Sequence, residues 1–181
     1  ALGLCAFAEP ALGRQLCKPK MYRNVSSLLE QTRAAVETIR AHRSDGRVTS
    51  LVIGALGRCG RGAIDCLEKS GFKADEIVRW DVQETSAKCG PYQEFANSDL
   101  FINCNYLSKK IPPFINRDLL AAAGSQRRLG MIVDVSCDTT NPNNPIPVYS
   151  VTTTVATPTV RVAGVDNLEV ISIDHLPTLL P

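Results

Sequence analysis

Residues 48–60 read VTSLVIGALGRCG, and the organisation of the chain follows from them. Val48 to Ile53 is a short, β-branched, mostly apolar run with no charge after Arg47. Such a run suits a central parallel strand buried on both faces. Gly54, Gly57 and Gly60 follow at three-residue spacing. Beyond them, residues 61–70 carry Ile64 and Leu67 toward one face, and Gly71 stops the run. The unit predicted is strand, glycine turn, helix.

Outward from this unit, strand and helix signals alternate. Glu76–Asp81, Leu100–Cys104 and Met131–Ser136 read as further strands, with Val160–Val162 and Val170–Ile173 as two more. Asn116 caps a short helix that ends at Gly124. Residues 139–147, TTNPNNPIP, read as a long loop, since their prolines cannot donate to a sheet ladder. The fold class expected is α/β: a Rossmann-like, mostly parallel sheet with helices on both faces.

Upstream, residues 25–42 form the clearest helix. Asn24 caps it, and Leu28, Thr32, Ala35, Val36 and Ile39 share one face. Residues 1–23 show no sustained period and read as loop with a short helix. The expected division is a lead-in segment at 1–47 and a sheet domain at 48–181.

The glycine turn has a chemical reading. Glycines let backbone N–H groups approach a diphosphate, and the helix start adds unpaired donors and partial positive charge. Arg58 adds a mobile cation beside them. The spacing GxxGxxG departs from the commoner GxGxxG, and glycines after a strand also make plain turns. Asp81 raises the odds of a dinucleotide site, because it ends the second strand about twenty residues after the last glycine. A carboxylate there accepts from both hydroxyls of an adenosine ribose and repels a 2′-phosphate, which favours NAD over NADP. The competing role for Asp81 is a cap on the turn that follows it.

Ligands in open parallel sheets lie beyond the carboxyl ends of the strands. Three such ends turn polar here: Asn103-Cys104-Asn105-Tyr106, Asp134-Val135-Ser136-Cys137-Asp138 and Ile173-Asp174-His175-Leu176. His175, beside Asp174, is a candidate for a raised pKa or for ligand orientation, against a purely structural role. Cys59 and Cys104 fall in adjacent loops of such a sheet, either as two plain thiols or as a pair in disulfide range that modulates access.

The totals exclude several classes. Among 181 residues, 20 basic and 18 acidic side chains leave a net charge of +2, no footprint for nucleic acid or an anionic membrane. Apolar residues make up 44% and charged residues 21%, as in ordinary globular chains. No apolar run reaches membrane-spanning length. Seven scattered cysteines, with no CxxC pair, fit a reducing, cytoplasmic compartment better than a disulfide framework, and no metal site is expected. The missing initial Met and the stop at Pro181 suggest an excised piece.

The runs LVIGALGRCGRGAIDCL, VRWDVQET, LFINCNYLSKKIPPF, VDVSCDTTNPNNPIPVY and VISIDHLPTLLP resemble the fungal-type saccharopine dehydrogenases, colinearly from about Val48 to Pro181. The helix at 25–42 resembles that family's long interdomain helix. The resemblance implies oxidative deamination of saccharopine to lysine and 2-oxoglutarate with reduction of NAD, by a monomeric two-domain enzyme of lysine biosynthesis. It implies that Gly57, Arg58, Cys59 and Gly60 border the pyrophosphate, and that Asp81 holds the adenosine ribose with Thr85 close by. Tyr106 and Val133 are implied to line the adenine and ribose pocket. Ile173, Asp174, His175 and Leu176 are implied to approach the nicotinamide. The family's acid–base pair and its substrate-binding arginines belong to a second domain that has no counterpart here. No catalytic residue is therefore assigned, and this half alone is expected to be inactive. The rival expectations are the dinucleotide domain of another amino-acid oxidoreductase, and a non-catalytic nucleotide-binding or interaction domain.

Overall fold

The structure, a computed structural model, describes residues 1–9, 21–137, 139 and 141–174. Among them lies one six-stranded sheet: β1 (Ser50–Ile53), β2 (Ile77–Trp80), β3 (Leu100–Asn103), β4 (Met131–Asp134), β5 (Val160–Arg161) and β6 (Glu169–Ile171). The order across the sheet is β2-β1-β3-β4-β6-β5. Every pairing is parallel except the antiparallel β5–β6 edge. The α/β expectation therefore holds. Each strand is shorter than the run expected for it, and β6 starts one residue earlier, at Glu169.

Side chains alternate between two cores, as the two-residue period of a strand dictates. From β1, Leu51 and Ile53 enter one cluster with Phe101, Ile132 and Val170, covered by Phe95 and Leu120. Those two come from α5 (Gln93–Ala96) and α6 (Arg117–Ala123). Val52 enters the opposite cluster with Ile102, Met131 and Ile171. There α1 (Leu2–Ala8), α2 (Val25–Ala41) and α3 (Arg58–Lys69) supply Leu4, Val36, Ile39 and Leu67. A short helix, α4 (Val82–Ser86), follows β2.

Helix α2 starts at the expected cap, where Asn24 Oδ1 accepts the Ser27 N–H at 2.9 Å. Near its other end, Arg40 makes a two-pronged ion pair with buried Glu76 at 2.6 and 3.1 Å. Glu76 stands just before β2, so this pair ties α2 to the sheet. Burial alone pushes the Glu76 carboxyl up, but hydrogen bonds from Arg40 and the Lys73 N–H hold it below its ordinary value.

One local expectation changes. Helix α3 begins at Arg58 rather than near residue 61, because Gly57 is its extended N-cap and the glycine turn is already the first helical turn. The short helix expected within residues 1–23 is present as α1, packed against β4 and α2. Gly3 sits against Val133, and Phe7 lies where a side chain on Gly130 would stand.

Candidate functional site

The chain leaves β1 in opposite directions, to β2 on one side and then to β3 on the other. That reversal opens a crevice at the carboxyl ends of β1 and β3. Gly54 has φ +78 there, and an added Cβ would stand 2.9 Å from the Cys104 carbonyl oxygen. Only glycine lets the loops after β1 and β3 approach so closely. At Gly60 an added Cβ would meet Gly54 O at 2.1 Å, so α3 starts directly on the turn. Gly57, Arg58 and Cys59 are exposed, and Gly60 is buried beneath them.

The start of α3 carries no side-chain cap. Its first-turn N–H groups are intrinsically without helical partners and carry the positive end of the helix dipole. The adjacent turn carries two backbone bonds, Gly57 N–H to Gly54 O and Ala55 N–H to Trp80 O, each 3.0 Å.

Asp81 emerges one strand over. Its Oδ2 accepts from Leu56 N–H of the glycine turn at 3.0 Å, and its Oδ1 accepts from Val82 N–H at 2.9 Å. It thus caps α4, the competing role weighed for it, while its other oxygen faces the glycine turn. Its place is set from behind: Trp80 packs edge-on against Tyr92 and Phe95, with centroids 5.2 and 5.4 Å away. Tyr92 also donates to the Thr85 carbonyl at 3.0 Å, and Thr85 Oγ1 donates to Asp81 O at 3.1 Å. Trp80 and Tyr92 were not separable in sequence from ordinary core aromatics.

Tyr106 follows β3 and is 69% exposed at the crevice, with Leu56 and Val82 also bare. Val133 lies within β4, half-buried, its side chain against Gly3 of α1 and packed on the core of that face. Ile173 is buried and bridges in parallel to Thr153, with Asp174 exposed after it. His175 and Leu176 lie outside the described residues. Cys59 and Cys104 are both free thiols. Burial first, then the charges of Cys59 and Asp134, push Cys104 up to about 12, so it stays protonated near neutrality. Among the described residues no group of three or more His, Cys, Asp or Glu side chains could hold a metal ion. No described helix is long and apolar enough to cross a membrane.

The loops and helix ends fit a dinucleotide: a backbone cradle for a diphosphate, a carboxylate for a diol, and bare apolar side chains for a base. No family model matches the chain. It is 60% identical over 136 residues to the saccharopine dehydrogenase [NAD(+), L-lysine-forming] of Yarrowia lipolytica, covering 74% of this chain and 36% of that protein. The enzyme of the same description from Candida albicans is 52% identical over 162 residues, 88% of this chain and 42% of that protein. That from Emericella nidulans is 46% identical over 176 residues, 93% of this chain and 46% of that protein. A match of that breadth takes in part of residues 1–23, upstream of the quoted motifs. The chain thus spans less than half the length of these relatives, and over that span it belongs to the family of lysine-forming saccharopine dehydrogenases.

Proposed function

We propose that this chain is the NAD(H)-binding part of an enzyme that oxidises saccharopine to L-lysine and 2-oxoglutarate. The observation that carries this is the uncapped start of α3 with Asp81 hydrogen-bonded to the same turn. In this proposal the N–H groups of Arg58, Cys59 and Gly60 hold the diphosphate, and Arg58 adds charge. Asp81 accepts from the adenosine ribose hydroxyls and disfavours a 2′-phosphate. Thr85 and Tyr92 keep Asp81 in place, and Tyr106, Leu56 and Val82 flank the base. Ile173, Asp174, His175 and Leu176 would meet the far end of the cofactor. The bound nicotinamide would supply the hydride acceptor; the protein's part is to hold it and exclude water.

Saccharopine, lysine and 2-oxoglutarate would be bound chiefly by residues outside this chain, where the proton-transferring groups would also lie. The scattered cysteines support a cytoplasmic setting. Calorimetric titration tests the cofactor assignment. NADH should bind more tightly than NADPH, and Asp81→Ala should weaken NADH by about tenfold and remove the preference. Equal binding of both cofactors to the unaltered chain would reject it.

A further inference from the structure

A buried polar chain crosses the carboxyl ends of β3, β4 and β6. Asp134, the last residue of β4, is 4% exposed. Among the described residues no cation lies within ion-pair reach of it. Its Oδ1 accepts from the Asn103 side-chain amide at 2.9 Å and from the N–H groups of Ser136 and Cys137, each at 3.1 Å. Its Oδ2 accepts from the Tyr149 hydroxyl at 2.5 Å. That hydroxyl also lies 2.9 Å from Ser172 Oγ, which is 3.1 Å from Cys137 Sγ. Ser136 Oγ donates to the Asn105 carbonyl at 2.7 Å.

A buried carboxylate without a cation is costly unless neutral donors saturate it, and four do so here. They come from β3, from the loop after β4 and from Tyr149, whose hydroxyl meets Ser172 beyond β6. The carboxylate therefore fixes several backbones against one another. It also holds the N–H of Cys137, which sits at φ 50 in the left-handed region, an arrangement that costs a non-glycine residue energy unless its surroundings impose it. Burial, with the Asp134 charge beside it, raises the Tyr149 phenol above its ordinary value, so the hydroxyl remains a donor through neutral pH.

Sheet order gives this lock a direction. Asp81 lies on the β2 side of the switch point, whereas Asp134, Tyr149 and Ser172 lie on the β3–β4–β6 side. A dinucleotide with one ribose on Asp81 and its diphosphate on α3 carries its second nucleoside over this second side. We propose that Asp134 and Tyr149 are positioning residues for that second, nicotinamide-bearing nucleoside. They act through the backbone of Asn103–Asn105 and Val135–Cys137, not by contact. This rests on the crevice being a dinucleotide site.

The test compares NADH with ADP, which reaches Asp81, α3 and the base-flanking Leu56, Val82 and Tyr106 but not the second nucleoside's side. Both are titrated calorimetrically into the unaltered chain, Tyr149→Phe and Ser136→Ala, and bound NADH is also followed by fluorescence anisotropy. Tyr149→Phe removes one hydroxyl and keeps the packed ring. Ser136→Ala cuts one half-buried link and serves if the first variant fails to fold. We expect Tyr149→Phe to weaken NADH by about tenfold and Ser136→Ala by about threefold, the scale of one hydrogen bond, with lower anisotropy of the bound cofactor. ADP affinity should stay within about twofold, as its partners are untouched. Unchanged NADH affinity in both variants, or equal losses for NADH and ADP, overturns the positioning role alone. An unaltered chain that binds neither ligand overturns the dinucleotide assignment, and the positioning role with it.

Discussion

Gly60 and Gly62 stand two residues apart on α3, and their surroundings demand opposite things. A Cβ on Gly60 would sit 2.1 Å from Gly54 O, whereas one on Gly62 would meet nothing within 4 Å. Gly60→Ala must push the helix off the turn, and we expect it to cost about 1–3 kcal/mol in chemical denaturation, with weakened NADH binding. Gly62→Ala should instead gain about 0.5–1 kcal/mol, because alanine restricts the unfolded chain and favours helix, with cofactor binding kept. The sequence shows these glycines as one cluster. Their ranking depends on the distance to Gly54 O, a contact that exists only once α3 is laid on the turn. Asp81 was legible at this scale by its position after an apolar run. Its bond to Leu56 N–H was not, since the two lie 25 residues apart.

Helix α2 and helix α1 illustrate how far patterning reaches. Thr32, Ala35, Val36 and Ile39 are buried along one stripe of α2 while its other side faces solvent, and that asymmetry is visible as periodicity. Helix α1 has no such stripe. Gly3, Leu4, Cys5, Ala6 and Ala8 are all buried, and uniform burial leaves no polar face from which to read a period. The link between α2 and β2 carries its own prediction. Glu76 has its carboxyl held below the ordinary range. Its contribution to stability is therefore complete above the unfolded value of about 4.3 and is lost as pH falls through the lower folded value. Thermal melts should stay level above about pH 5 and decline in acid, and Glu76→Gln should flatten part of that decline. Arg40→Ala leaves the carboxylate buried without its cation, and we expect a loss of about 3 kcal/mol at neutral pH by urea titration.

At the scale of the whole chain, the strand–helix alternation made the mostly parallel sheet legible, whereas the strand order that puts β2 and β3 on opposite sides of β1 shows only in the structure. The lock around Asp134 was legible only as polar strand ends, because Tyr149 reaches Asp134 from a proline-rich loop that sequence alone leaves without a position. The chain spans less than half of its relatives' length. We expect it to bind NADH yet to form none when given saccharopine and NAD, followed by absorbance. Sustained turnover by this chain would relocate the proton-transferring groups to it.

The two margins of the sheet have a consequence for how copies of this molecule meet. One margin is β5, two residues long, with Arg161 projecting into water; the other is β2, where Arg79 is exposed beside an exposed Val78. Neither offers a long uncharged ladder for a strand of another molecule to extend. Crowded copies are thereby discouraged from zipping edge to edge into fibrils, even though β1 and β3 inside the sheet are as apolar as aggregating segments tend to be.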